Sequence, residues 1–515
     1  MHKVKSWAKC EGRRAIAPFS AHRHKPKAAD GENGISTGVD KNALHAEWKA
    51  RKKEQKEKEK EKKKEDRRRA ESHLDRSVLG QLKAALLSSY VNIMLVFVPV
   101  GIALHFTSVS PIIIFVMNFL AIIPLAGTLS FATEEIALRT GETLGGLLNA
   151  SFGNAVELIV SIIALVKKEI VVVQTSLIGS ILSNLLLVMG MSFFFGGINR
   201  VEQYFNTTVA QTASSLLAVA VLSLIIPSAF HWAGSSNVKN VEDLQPGIIG
   251  LSRGTSVILL IVYGVYLYFQ LKSHADLFNT QSPKVPTRSE MEPSAIQTLL
   301  QQSANTGTAT VGHPNVQGQS YPRSSLSPAT ASSGEAKDET VVEDEDEEEG
   351  PQPELTLVTA VVLLAASTVL VAICAEFLVS SISYVTSHSS ISEYFVGLIL
   401  LPIVGNAAEH VTSVTVAYKD KMDLAIGVAV GSSMQIALLV IPFVVVLGWI
   451  LGIDQMTLFF DGFQVVLLLV SVLLVNYLIQ DGKSNFLEGT LLMATYIIIA
   501  VAAWYFPAPP GQIEG

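Results

Sequence analysis

The sequence predicts an all-α polytopic membrane protein of about eleven transmembrane helices. Three observations predict it: eleven long apolar runs, a charge distribution that avoids them, and one polar motif that occurs twice at a fixed offset.

The chain has 515 residues, 49% apolar and 16% charged, with a mean hydropathy of +0.40. A typical soluble domain is about 25% charged. Residues 1–76 hold 36 of the 83 charges and residues 272–354 hold 19, which leaves 28 for the other 356 residues. So apolar a remainder excludes an ordinary cytosolic enzyme and indicates a membrane protein with two polar appendages.

The first appendage, residues 1–76, carries 23 Lys/Arg against 13 Asp/Glu. Its centre, Lys49 to Arg69, alternates Lys with Glu and has no interleaved aromatics. It reads as a solvated, largely disordered arm, and nucleic acid is not among the expected partners. No apolar signal-peptide core precedes the first long run, so that run itself targets the chain to a membrane. Cys10 lies in the arm and Cys374 in an apolar run, so the fold does not depend on a disulfide.

A helix that crosses a bilayer needs roughly 20 mostly apolar residues. The runs lie near 90–106, 110–130, 144–166, 174–197, 206–229, 250–271, 355–382, 394–417, 424–450, 458–479 and 486–506, the first short and the seventh long. Continuous apolar runs exclude a β-barrel, whose strands would alternate polar and apolar residues. Between the sixth and seventh runs, residues 272–354 are rich in Ser, Thr, Pro, Gln and acids, ending in seven consecutive acids, Glu343 to Glu349. This segment cannot bury a core and is expected to be a disordered linker. It divides the membrane part into 77–271 and 355–515.

The basic arm places the N-terminus in the cytosol. Lys83, Arg139, Arg200, Lys419, Lys421 and Lys483 then share the cytosolic side, and Lys167, Lys168, Lys239 and Arg253 the other. The sequon Asn206-Thr207-Thr208 falls on the cytosolic side and is expected to be unglycosylated.

The third run contains Gly153-Asn154-Ala155-Val156-Glu157 and the eighth Gly405-Asn406-Ala407-Ala408-Glu409, an offset of 252. Gly179-Ser180 and Gly431-Ser432 repeat the same offset in the next run of each half. Two motifs in register imply a structural repeat. Five crossings separate the copies, an odd number, so they run in opposite directions. Such inverted repeats place ion sites at the repeat interface near the midplane of secondary transporters.

At helical spacing, Asn154, Glu157 and Ser161 share a face, as do Asn406, Glu409 and Ser413. Together the copies supply two carboxylates and several neutral oxygens. Ser180, Asn184, Ser432 and Gln435 on the following helices add more. Ca²⁺ takes six to eight oxygens, often including carboxylates. Gly153 and Gly405 leave room for close backbone approach or a loosened helix. Two carboxylates in a low-dielectric site also bind protons, so H⁺ and Ca²⁺ compete for the same oxygens and titrate the pair as a unit. Intramembrane carboxylates default to a functional reading. Glu134 and Glu376, which follow apolar stretches, are candidates for a second pair that gates or relays protons, or else for interfacial residues. His410 points about 100° away from Glu409 and is a candidate proton relay rather than a metal ligand. Glu135 and Asp461 read as interfacial.

The motifs are similar to those of the cation/proton exchangers within the calcium:cation antiporters. The resemblance runs through Ser130-Phe131-Ala132-Thr133-Glu134-Glu135, Gly145 to Val160, Gly179-Ser180-Ile181-Leu182-Ser183-Asn184-Leu185-Leu186, Gly405 to His410 and Gly431-Ser432-Ser433-Met434-Gln435-Ile436. It covers about residues 85–271 and 355–506, and the arm and linker look most like those of a fungal vacuolar member. It implies helix 1 followed by two inverted five-helix repeats, with Ca²⁺/H⁺ exchange across an acidic organelle's membrane. It implies Glu157 and Glu409 as central carboxylates, with Asn154, Asn406, Ser180, Ser432 and Gln435 around the ion, and Glu134 and Glu376 as an outer pair. Expected partners are Ca²⁺ and H⁺ as substrates, lipid, and a proton pump that sustains the gradient; no cofactor is expected, and self-association is left open. Ser282 and Ser327 each precede a proline and are candidate phosphorylation sites.

Na⁺/Ca²⁺ exchange and a passive cation channel are the competing readings. An ATP-driven pump or other enzyme fares worst: Gly482-Lys483-Ser484 resembles the end of a P-loop, but Tyr477 stands where its first Gly belongs.

Overall fold

The computed structural model describes residues 78–275 without 88, 141 and 236–240, then residues 282, 284, 285 and 287, and residues 353–506. The arm 1–76, the run Glu343 to Glu349, Ser327, Cys10 and Lys239 lie outside the described residues.

The described chain is helical, with one two-residue β pair. Helix α1 is Val78–Leu87, and a 3-10 turn Tyr90–Val96 leads into α2, Phe97–His105. Next come α3 (Pro111–Thr140), α4 (Glu142–Phe152), α5 (Ala155–Val166), α6 (Ile170–Gly197), α7 (Thr207–Ser235) and α8 (Gln245–Ser273). After the linker follow α9 (Leu357–His388), α10 (Glu393–Gly405), α11 (Ala407–Tyr418), α12 (Met422–Ile450), α13 (Gly462–Leu478) and α14 (Phe486–Tyr505). Strands β1 (Gln203–Tyr204) and β2 (Lys483–Ser484) pair antiparallel.

Among the described residues, seven helices are long and apolar enough to cross a membrane, and the pair α10 and α11, bent by 55° at its break, makes an eighth. Tyr90–His105, Ala155–Val166 and Gly462–Leu478 are shorter apolar helices at the positions of other expected runs. Every apolar run is thus helical, although length and composition alone do not reach a count of eleven.

Three boundaries differ from the sequence reading. Helix α3 continues ten residues past 130, because its end serves as a support. Buried Glu135 accepts the N–H groups of Glu354 (3.1 Å) and Leu355 (2.8 Å), just before α9 begins. Helix α9 runs on to His388, its start capped by the Thr356 side chain. The third and eighth runs are not continuous helices: each breaks within its motif.

The breaks match across the halves. Asn154 (φ −105°, ψ 32°) and Asn406 (φ −82°, ψ 13°) are the non-helical residues at which α5 and α11 begin. Each break frees carbonyls at the end of one helix and N–H groups at the start of the next. The π-helical turns Ser183–Val188 in α6 and Ile436–Val440 in α12 also match at the 252 offset, to within a residue. Helices α3 and α9 run antiparallel along one another. The end of α3 meets the start of α9 through Glu135, while His105, just before α3, stacks on Phe377 far along α9, ring centroids 3.8 Å apart.

Helix α6 is the central element: 83% of its apolar window is buried inside the protein, against 28% for α8, α9 and α14. Lipid offers no hydrophobic drive between helices, so small residues set the close contacts. At Gly179, a Cβ would clash with the Leu398 carbonyl oxygen of α10.

The loops gather at two ends of the bundle. One end joins β1 to β2 and holds the Arg200–Asp420 (3.6 Å) and Lys483–Glu202 (3.0 Å) ion pairs. The other holds Lys167–Glu376 and Arg253–Asp454, each at 2.6 Å, and a loop fixed by Gln174, which donates to the carbonyls of Thr457 and Phe459. Asp461 caps α13 there and accepts the Tyr394 hydroxyl at 2.6 Å. Arg200 and Lys483 thus lie at the first end, and Lys167 and Arg253 at the second.

Candidate cation site

Two glutamates face the interior from matched positions. Glu157 and Glu409 each sit in the first turn of the helix that follows a break, and both are buried. They lie close enough to interact electrostatically. Both carboxylate oxygens of Glu157 are buried without a hydrogen-bond partner, as are the amide oxygens of Asn154 and Asn406. Unpartnered buried oxygens are costly and call for a donor or a cation. Four such atoms fall in the two motif copies.

The halves interlock at this point. Gly405, of the second copy, leaves the space that the Glu157 carboxylate occupies: a Cβ there would lie 2.7 Å from Oε1 and 3.2 Å from Cδ. Beside Glu157 is a cavity of ≈ 20 Å³ between α5, α6 and α10, lined also by Ser176, Ser180 and Gly405. That is room for about one water-sized occupant. A larger cleft of ≈ 380 Å³ between α7 and α13 is lined by Gln211, Ser215, Asn476, Tyr477 and Gln480. No carboxylate is among its lining residues.

The amides link the halves asymmetrically. Asn154 Nδ2 donates to Gln435 Oε1 on α12 at 2.6 Å. Asn406 Nδ2 donates to the Ser180 backbone carbonyl on α6 at 3.2 Å. Each asparagine thus donates its N–H to the opposite repeat and leaves its oxygen buried without a partner. Asn154 and Asn406 stand at the breaks, outside the helices, so the shared helical face read from the sequence holds only for Glu157 with Ser161 and Glu409 with Ser413. Ser413 is engaged elsewhere: its Oγ lies 2.7 Å from Ser192 Oγ and donates to the Ala425 carbonyl at 3.1 Å. Ser432 is half-buried on α12, one turn before Gln435. Asn184 is fully buried with both amide atoms unpartnered.

Among the described residues, no three of His, Cys, Asp and Glu converge on one point. The donor set here is two carboxylates with neutral oxygens, the kind a hard cation accepts. His410 Nε2 lies 3.4 Å from Ser183 Oγ on α6. Ser183 was not singled out in the sequence, yet it is the 252-offset mate of Gln435 and was legible as such.

Glu134 and Glu376 do not form a second pair. Glu134 is exposed on α3, beside the Glu135 that supports the start of α9. Glu376 lies 21 residues beyond Leu355, about 30 Å of helical rise, at the opposite end of the bundle. There it pairs with Lys167 at 2.6 Å. The inverted fold separates the two residues, because equivalent helices of the two halves run in opposite directions.

Comparison with known proteins agrees with this geometry. The family model described as sodium/calcium exchanger protein matches residues 110–272 and 359–505. A vacuolar calcium ion transporter of Cryptococcus neoformans var. grubii is 47% identical, over 83% of this chain and 75% of that protein. One of Schizosaccharomyces pombe is 42% identical, over 84% of this chain and 88% of that protein. A solved structure of the Ca²⁺/H⁺ antiporter protein YfkE is 30% identical and superposes with a TM-score of 0.57, covering 80% of this chain and 99% of that one.

Proposed function

This chain belongs to the sodium/calcium exchanger protein family, and on that premise we propose that it is a secondary antiporter exchanging cytosolic Ca²⁺ for lumenal H⁺ across a vacuolar membrane. The observation that carries this reading is the matched pair Glu157 and Glu409, buried in the first turns after matched breaks. The names of the relatives, vacuolar calcium ion transporters and a Ca²⁺/H⁺ antiporter, support the substrates and the compartment.

In this reading Ca²⁺ binds the ionised carboxylates together with the oxygens of Asn154 and Asn406. Ser180, Ser432 and Gln435 complete the surroundings. Protons displace Ca²⁺ where they are abundant, and the site returns protonated. Each pH unit of gradient supplies about 1.4 kcal/mol per proton. His410 is the proposed proton relay, through Ser183. Glu134 and Glu376 enter only as single carboxylates at opposite ends. The eleven apolar runs are read as eleven crossings, with the arm 1–76 and the linker 272–354 in the cytosol.

Alternating access has its own support in the packing of the two halves. On one flank, α6 is closed onto α10: a Cβ at Gly179 would meet Leu398 and Pro402, and one at Gly397 would meet Thr175. The repeat mates on α12, Gly427 and Gly431, have nothing within 4 Å of where a Cβ would stand. On that flank α4 leans away, with Gly145 against Ala137 of α3 and Gly146 against Leu271 at the end of α8. One flank is closed and its mate is open, as one half of a rocking cycle requires. By the topology above, the open flank faces the cytosol.

The test is ⁴⁵Ca²⁺ uptake into sealed, acid-loaded vesicles containing the purified protein, in Na⁺-free medium, with and without a protonophore. Gradient-dependent uptake, lost in Glu157→Gln and in Glu409→Gln, is expected. Uptake that survives collapse of the gradient would overturn proton coupling. A requirement for Na⁺ would favour Na⁺/Ca²⁺ exchange instead.

A further inference from the structure

The start of the linker is laced to the loops of both repeats. Ser282 donates twice to Asp423, from its N–H to Oδ2 at 2.9 Å and from its hydroxyl to Oδ1 at 3.1 Å. Val285 N–H donates to Asp420 Oδ2 at 2.5 Å, and the Val285 carbonyl accepts Arg200 Nε at 3.1 Å. Asp420 and Asp423 flank the turn between α11 and α12 in the second repeat; Arg200 belongs to the first. Gln203 Nε2 and Asn206 N–H, also of the first repeat, donate to Asp420 Oδ1 at 2.7 Å and Asp423 Oδ1 at 2.5 Å. Two aspartates therefore clamp three segments: the α6–α7 loop, the α11–α12 turn and the linker.

We propose that Ser282 is a regulatory phosphorylation site for a proline-directed kinase, and that its phosphate releases this strap. Pro283 follows Ser282 directly in the sequence. The kinase transfers the terminal phosphoryl group of ATP to Ser282 Oγ. The new O–P bond forms as the bond to the ADP leaving group breaks, and the hydroxyl proton passes to the kinase's base. The product has lost the Oγ–H donor that Asp423 accepts. It carries a charge of about −1.5 to −2 within contact distance of a carboxylate. Arg200, the cation built into the clamp, is already engaged by Asp420, by the Val285 carbonyl and by the Tyr418 carbonyl at 3.1 Å. Repulsion from Asp423 therefore ejects the segment.

Release reaches the transport machinery through Asp423, which lies in the first turn of α12. The same helix carries Gly427, Gly431 and Gln435. The strap adds its own bonds, from Ser282 to Asp423 and from Val285 to Asp420 and Arg200, to the direct ties between that turn and the α6–α7 loop; with them it restrains α12 in the open arrangement, so phosphorylation raises turnover. This last step rests on the exchange reading; strap release does not.

The test uses the full-length chain in lipid vesicles, with Ser327→Ala to remove the other linker Ser-Pro site. The protein is treated with a proline-directed kinase and ATP, modification is read by mass spectrometry, and tryptic cleavage at Lys284–Val285 is timed. The clamp on the Val285 N–H and carbonyl protects that bond. Phosphorylation at Ser282 is expected, with cleavage accelerated about tenfold, and Ser282→Glu is expected to do the same. Ser282→Ala, which keeps the backbone bond, should stay within about twofold of the parent. In Asp423→Asn, an amide that can donate to phosphate, the acceleration should vanish. A kinase that leaves Ser282 unmodified, or a phosphate that leaves cleavage unchanged or slows it, would overturn the proposal. Calcium uptake in the same vesicles should rise severalfold on phosphorylation. Faster cleavage with unchanged uptake would keep the released strap and refute its regulatory role.

Discussion

The carboxylate of Glu157, in the first half of the chain, rests against Gly405 of the second half, where a Cβ would lie 2.7 Å from its Oε1. Each motif copy thus supplies a residue that the other needs: one the charge, the other the space. Gly405→Ala is expected to push Glu157 off its position and lower proton-driven Ca²⁺ uptake at least about tenfold, for a misplacement of an ångström or less. The protein should still elute as a single species on gel filtration. Normal uptake by this variant would show that the carboxylate's position is not critical.

The glycines of α6 and α12 should behave differently although they are repeat mates. Gly179→Ala forces a methyl onto the Leu398 carbonyl and should destabilise the protein by about 1–3 kcal/mol, an overpacking cost. Gly431→Ala meets open space here and replaces a glycine inside a helix, so its melting temperature should be no lower than that of the parent. Its exchange rate should nonetheless fall, because in the proposed rocking cycle the opposite state would close α12 onto α4. Thermal melts and uptake on the same preparations separate the two effects, and a normal rate for Gly431→Ala would count against the rocking cycle.

Applying the 252 offset to the contact of Gly397 with Thr175 maps it onto Gly145 and Gly427. Cysteines at both of these positions, in a background with Cys10 and Cys374 replaced, should be joined by a short bifunctional reagent only in the state that is closed on that flank. Joining them should arrest uptake, and reversal of the link should restore it. A pair that never reacts under any ion or pH condition would refute the predicted closure.

Two adjacent glutamates carry different duties. Glu135 holds the N–H groups of Glu354 and Leu355, so Glu135→Ala should cost about 1–3 kcal/mol through two orphaned donors. Its uptake per folded molecule should remain close to that of the parent. A loss of uptake without a loss of stability would mean that Glu135 has been assigned to the wrong role.

Much of this protein was legible from its sequence. Apolar runs located every described helix but α1, since a bilayer leaves the backbone no other way to satisfy its hydrogen bonds. The twin motifs located the carboxylates, since a buried charge is too costly to appear twice by accident at one offset. Ser183 was equally legible, through Gln435, its repeat mate.

What the sequence did not carry is which side chains meet. Helical spacing placed Asn154 on the face of Glu157, but the chain breaks at Asn154, and its amide turns to Gln435 instead. Glu134 and Glu376 looked like partners because both follow apolar stretches; antiparallel packing of α3 and α9 sets them at opposite ends. The lacing of Ser282 and Val285 to Asp423 and Asp420 leaves no periodic trace at all. Periodicity and composition report how each segment meets solvent or lipid, and so they determined the helices, the repeat and the identity of the buried charges. Contacts between residues hundreds of positions apart depend on how helices cross and where they break, and only the tertiary structure decided those.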